Sequence, residues 1–175
     1  MYFANFPLIP YDSVGNGEFK LVTNLLKRVA VRTKVRTNIL LFDTYDVKEG
    51  ETPEMLADKL YGDSNLHWII MYVNGITDRY HQWPLSTPQF LTFLNDKYSD
   101  PDGTHHYEIT QTSGDTTVAI DIGSDNTSHA SATLITNREY EENRQDTVRK
   151  IRLLDSAYVD QFVEEFESLM GESVL

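Results

Sequence analysis

The segment from Tyr45 to Ile76 is the most densely punctuated part of the chain, and its punctuation leaves few folds open. Gly50 turns the chain. Thr52 and Pro53 stand as an N-cap and first helical residue, Glu54 suits the positive end of a helix dipole, and Gly62 ends the helix. Asp63 or Ser64 caps a second helix, and Asn74-Gly75 closes it. The residues Leu66, Trp68, Ile69, Ile70, Tyr72 and Val73 make that second helix apolar almost all round, which predicts a buried helix. Upstream, Asn38 to Val47 (NILLFDTYDV) has the period-2, β-branched character of a strand.

The flanks are read by the same rules. Residues 1 to 17 combine Tyr2, Phe3, Phe6 and Tyr11 with Pro7, Pro10, Gly15 and Gly17. Such a segment is expected to lack regular structure, yet it is too aromatic for a free tail, so its rings pack on this protein's core or on a partner. From Glu18, the spacing of Phe19, Val22, Leu25, Leu26 and Val29 predicts an amphipathic helix. Val31 to Val35 alternates apolar and basic residues and reads as extended. Thr87-Pro88-Gln89 starts a third helix with Phe90, Leu91, Phe93 and Leu94. Residues 99 to 103 are loop, and 105 to 122 read as a hairpin around Ser113-Gly114-Asp115. A polar loop over 123 to 131 precedes a charged helix over 137 to 146 and a strand over 147 to 154. Asp155-Ser156 then caps a closing helix striped by Tyr158, Val159, Phe162, Val163, Phe166, Leu169 and Met170.

Charge is unevenly placed. The net charge is −12, yet Phe19 to Phe42 holds Lys20, Lys27, Arg28, Arg32, Lys34 and Arg36 and no acid. An acidic body opposes general nucleic-acid binding, since each phosphate contact needs a local cation. The basic stretch is either a solvated face or a surface that docks on an acidic neighbour, and the second suits the polarity better. The absence of cysteine rules out disulfides and thiolate metal sites and fits a reducing compartment. The opening MYFANFPLIPYD has no basic n-region or long apolar run of a secretion signal, and no segment reaches the roughly 20 apolar residues of a membrane span.

No chemistry is legible. The chain lacks nucleophile-elbow, phosphate-loop, dinucleotide and zinc-protease patterns. No pair among His67, His81, His105, His106 and His129 has i, i+4 spacing, and His105 and His106 point to opposite faces if they lie on a strand. Asp121 and Asp125 lack the further oxygens of a calcium loop. Glu141-Glu142 and Glu164-Glu165 sit on charge-rich helices, where a solvated face is the ordinary reading. Neither a catalytic residue, a metal nor a cofactor is expected.

Two resemblances sharpen this. The residues Tyr45, Val47, Gly50-Glu51-Thr52, Leu56-Ala57, Tyr61-Gly62, Trp68, Ile70 and Asn74 resemble the LysM pattern in order and spacing, which implies a βααβ module over 42–86. Pro53 departs from it, standing where leucine is usual. The whole chain resembles the baseplate wedge protein 53 family of T-even-like contractile-tailed bacteriophages. That likeness rests on the aromatic arm, the internal module with its P-E-x-L-A start and W-I-I helix, Tyr140-Glu141 with Asn143, and the Arg149 to Leu154 run before the closing helix.

The resemblance implies an α+β fold, with an N-terminal arm and helix over 1–41, the LysM-like module over 42–86, and a mixed helix and strand region over 87–175. It implies a non-enzymatic virion protein of the tail baseplate, assembled in the host cytoplasm. Its partners would be other wedge subunits and inner-baseplate proteins, several copies of it would form a symmetric ring, and neither nucleic acid nor membrane would be bound. Interface residues expected on these grounds are Tyr2, Phe3 and Phe6 of the arm, Lys27, Arg28, Arg32 and Arg36 of the basic stretch, and Phe162 and Phe166 of the last helix. The alternative is a LysM module that binds peptidoglycan or chitin. A cell-wall hydrolase is a third reading, with no second catalytic constellation to support it.

Overall fold

The computed structural model describes residues 2–30, 39–126 and 128–172. It is an α+β fold with two compact units. One comprises Met1–Asp46, Glu51–Gln82 and Ile151–Leu175; the other comprises Val47–Gly50 and Trp83–Lys150.

The first unit begins with a 3-10 turn, Tyr2–Asn5, and then two strands, β1 (Leu8–Tyr11) and β2 (Lys20–Thr23), paired antiparallel with Ile9 opposite Val22. Both overturn expectations. The arm holds regular structure, and the helix predicted from Glu18 is a strand followed by a turn. The apolar spacing there imitates a helix, but Asn24 breaks it. Its Oδ1 accepts the Leu26 N–H at 3.1 Å, an Asx turn, while its backbone N–H donates to Pro7 C=O at 2.8 Å. The extended reading of Val31 to Val35 lies outside the described residues.

A 3-10 turn over Ile39–Leu41 leads into β3 (Phe42–Asp46), a shorter strand than the expected 38–47. The capped helices follow as predicted: α1 (Pro53–Tyr61), with Met55 N–H on the Thr52 side chain and Gly62 at φ 74°, then a turn capped by Asp63 and α2 (His67–Asn74). Gly62 and Gly75 (φ 68°) supply the left-handed backbone that helix ends demand. The short α3 (Arg79–Gln82) was not foreseen.

The partner of β3 comes from far along the chain: β7 (Lys150–Leu154), which forms a two-stranded sheet with it. Val47 N–H donates to Arg149 C=O and Asp155 N–H to Leu41 C=O, each at 3.0 Å, so the two strands run antiparallel. After β7, Asp155 caps a 3-10 turn and α6 (Val159–Glu172) closes the chain. Phe6, Phe42, Trp68, Ile69, Val73, Leu154, Val159, Phe166 and Met170 form this unit's apolar core.

The second unit holds α4 (Thr87–Lys97), the hairpin β4 (Thr104–Ser113) and β5 (Thr116–Asp121), the short strand β6 (Thr133–Thr136) and α5 (Asn137–Arg149). The sheet order is β5-β4-β6, antiparallel throughout. The hairpin lies where it was read, but β6, which falls between the expected loop (123–131) and the expected helix (137–146), was not foreseen. Helix α5 runs to Arg149, beyond the expected Asp146, because the Thr147 hydroxyl donates to Asn143 C=O at 3.0 Å and sits comfortably in the last turn.

Two side-chain expectations fail here. His105 and His106 do not point apart: the β4–β6 register shifts between Thr104 and His106, and the two Nδ1 atoms lie 2.7 Å from each other. Glu141 is not solvated. It is 0% exposed and is held by Lys97 Nζ at 2.5 Å and the Tyr98 hydroxyl at 2.9 Å. Burial alone would push its carboxyl up, and those two donors outweigh it, so the group lies below the usual carboxylate range.

Candidate functional site

The residues expected at an interface are dealt very different positions. Tyr2 is half-buried, its ring centroid 5.1 Å from Phe6, 5.4 Å from Trp68 and 5.6 Å from Phe166. Phe6 (8% exposed) and Phe166 (3%) belong to the core itself, and Phe162 packs on its margin 6.1 Å from Trp68. Of the arm's rings, Phe3 (63% exposed) and Tyr11 (54%) stay out. The arm therefore spends Tyr2 and Phe6 on its own fold and presents Phe3 and Tyr11.

The basic stretch is likewise divided. Lys27 Nζ donates to the Met170 carbonyl at the end of α6, where a cation meets the negative end of the helix dipole. Arg28 is exposed. Arg32 and Arg36 lie outside the described residues. The chain around Lys27 is tied down, since the Tyr72 hydroxyl donates to Val29 C=O. Burial, reinforced by Tyr2, pushes the Tyr72 hydroxyl up to about 12.

What sequence reading missed is the hairpin β1–β2 and its turn. Leu8, Tyr11, Val14, Phe19, Leu21, Leu25 and Leu26 are all exposed, Leu26 by 88%. Phe19 and Leu25 had been assigned to the inner stripe of a helix, so their exposure could not be seen. The available signal was the pair of prolines flanking Leu8 and Ile9, which favour an edge strand over a helix. The hairpin tip is not loose. The Asp12 carboxylate accepts four backbone N–H groups, those of Val14 (3.1 Å), Gly15 (2.6 Å), Asn16 (3.3 Å) and Gly17 (2.7 Å). These bonds, the Gly17 one foremost, hold its carboxyl below the usual range.

The motif residues around 45–76 do structural work. The Tyr45 hydroxyl donates to both oxygens of Glu51, at 3.0 and 2.8 Å, tying β3 to the start of α1. The Asn74 side chain pairs with Arg152 as a backbone would: Nδ2 donates to Arg152 C=O and Oδ1 accepts the Arg152 N–H, both at 2.8 Å. The Tyr61 hydroxyl donates to Leu154 C=O at 3.1 Å, and burial pushes it up to about 12. Asn74 and Tyr61 thus hold β7 onto the two helices. Among the described residues no group of three or more His, Cys, Asp or Glu is placed to hold a metal ion, and no helix is long and apolar enough to cross a membrane.

The family model described as base plate wedge protein 53 matches residues 1–168. The chain is also similar to Baseplate wedge protein gp53 of Enterobacteria phage T4, at 27% identity over 99 residues, which are 57% of this chain and 45% of that protein. The match thus spans less than half the length of that relative. With the family model covering nearly all of its length, the chain belongs to the base plate wedge protein 53 family.

Proposed function

We propose that this protein is a structural subunit of a contractile phage tail baseplate that holds neighbouring wedge proteins together through protein–protein contacts. Family membership supports the baseplate role. The observation that carries the contact role is the crowding of exposed apolar side chains on residues 3–26, within an ordered hairpin. So many exposed apolar side chains on one short segment exceed what a monomeric soluble protein usually leaves open, and such surface ordinarily marks an interaction site. Phe3 and the hairpin supply the apolar part, and the basic stretch, of which Arg28 is exposed, would supply cations for an acidic neighbour. Several copies would meet in a symmetric ring with other wedge and inner-baseplate subunits, in the virion after assembly in the host cytoplasm.

Charge reversal tests this. Exposed pairs contribute about 0–1 kcal/mol in a lone protein, whereas truncating one partner of a desolvated interface pair costs roughly 2–5 kcal/mol. Arg28→Glu, Arg32→Glu and Arg36→Glu together should leave circular dichroism of the isolated chain unchanged and stop its co-sedimentation with the wedge complex. Normal assembly by the triple variant would make the basic stretch a solvated face.

A further inference from the structure

The hairpin's two edges are not equivalent. In the β1–β2 register each pair of residue numbers adds to one constant, and the Asn24 N–H to Pro7 C=O bond continues it. Antiparallel ladders alternate hydrogen-bonded and non-bonded pairs. Asn24 with Pro7 is bonded, so Val22 with Ile9 and Lys20 with Tyr11 are bonded too, and those groups point inward. Leu21 and Thr23, opposite Pro10 and Leu8, send their N–H and C=O groups outward. On the β1 edge the outward position at Pro10 has no N–H to offer, the usual protection of an edge strand. On the β2 edge both donors and both acceptors are present. Leu21 (71% exposed) and Val22 (36%) lie on opposite faces of this strand, so apolar surface is open on both sides of the edge.

Resting on the baseplate reading, we infer that the β2 edge is completed by an extended, largely apolar segment of a neighbouring wedge subunit, which adds a third strand to this hairpin at Leu21 and Thr23. A two-stranded hairpin is marginal alone and gains stability from a third strand. Apolar exposure on both faces calls for a segment apolar at successive positions, as in a sheet covered on both sides. Charge selects a different chain over a second copy. Lys20, exposed at the start of the strand, is complemented by a segment with a carboxylate beside its apolar run, whereas a second copy would bring the same lysine and its own net charge of −12.

The test is amide exchange resolved to single residues, on the isolated chain and on the co-sedimented wedge complex. The Leu21 and Thr23 amides should exchange fast in the isolated chain and slow by roughly a hundredfold or more on assembly. The Lys20 and Val22 amides, already paired inward, serve as internal controls and change far less. Thr23→Pro, which copies the chain's own Pro10 solution and removes only an outward donor, should leave those control amides protected in the isolated chain. It should lower affinity for the wedge complex by roughly tenfold or more; Leu21→Lys, which leaves the backbone intact, should weaken binding in the same sense. A wedge complex in which Leu21 and Thr23 still exchange fast overturns the proposal while leaving the baseplate role standing. Concentration-dependent slowing at these two amides in the isolated chain overturns it in favour of a second copy. Failure of the chain to enter the wedge complex at all removes the reading beneath it.

Discussion

Trp68 lies within 6.2 Å, centroid to centroid, of Tyr2, Tyr72, Phe162 and Phe166, so one side chain joins the amino-terminal turn, α2 and α6. Trp68→Ala should destabilise the protein by roughly 3–5 kcal/mol in denaturant titration. An unchanged midpoint would mean that the rings around it do not form the core. Tyr61 and Tyr72 make a second prediction at this scale. Both hold their protons up to about 12, above the ordinary tyrosine value of 10.0. Between those values the native state binds more protons than the unfolded chain, so stability falls as pH rises through that window and is fully present below it. Ultraviolet titration should show Tyr61 and Tyr72 among the last of the ten tyrosines to ionise, together with unfolding. Asn74→Ala, which removes the pairing with Arg152, should cost about 1–3 kcal/mol.

At the scale of elements, explicit caps made α1, α2 and α4 legible. Thr52, Gly62, Asp63 and Gly75 act through bonds to their own neighbours, so sequence order is enough to find them, while α4 was found from Thr87-Pro88-Gln89 although its N-cap is Ser86, one residue earlier. The hairpin β1–β2 was illegible because its strands are four residues each and are defined only by pairing across the Asp12 turn. The buried Glu141 was hidden for a related reason: its donors, Lys97 and Tyr98, stand at the end of α4, and a charge-rich helix gives no sign of which carboxylate turns inward. Of the interface residues expected from sequence, Phe3 and Arg28 are exposed, whereas Phe6 and Phe166 are consumed by the core. The Asp12 turn carries a prediction of its own. Its depressed carboxyl stabilises the turn above the unfolded carboxylate range, and that contribution is lost as pH falls through the lower folded value. Asp12→Ala should lower the protection of the Gly15 and Gly17 amides against exchange at neutral pH, and acid should lower the same protection, taken relative to the intrinsic exchange rate at each pH, in the wild-type chain. Equal exchange in both proteins would show that the turn holds without the carboxylate.

For the whole molecule, the strand that pairs with β3 is made only after every residue of the second unit. During synthesis β3, α1 and α2 leave the ribosome with Phe42, Trp68 and Ile69 lacking the Leu154 and Phe166 that cover them, and must wait about a hundred residues, several seconds at ordinary elongation rates, for β7 and α6. The intervening unit has pairings of shorter range and can complete its three-stranded sheet first. A released fragment ending at Arg149 should therefore display protease-resistant pieces from the 83–149 region while its first eighty residues are cut freely. Full-length chains should form the Trp68 cluster last, making the final stretch of translation the moment at which this protein is most open to capture by chaperones or by its own exposed apolar surface.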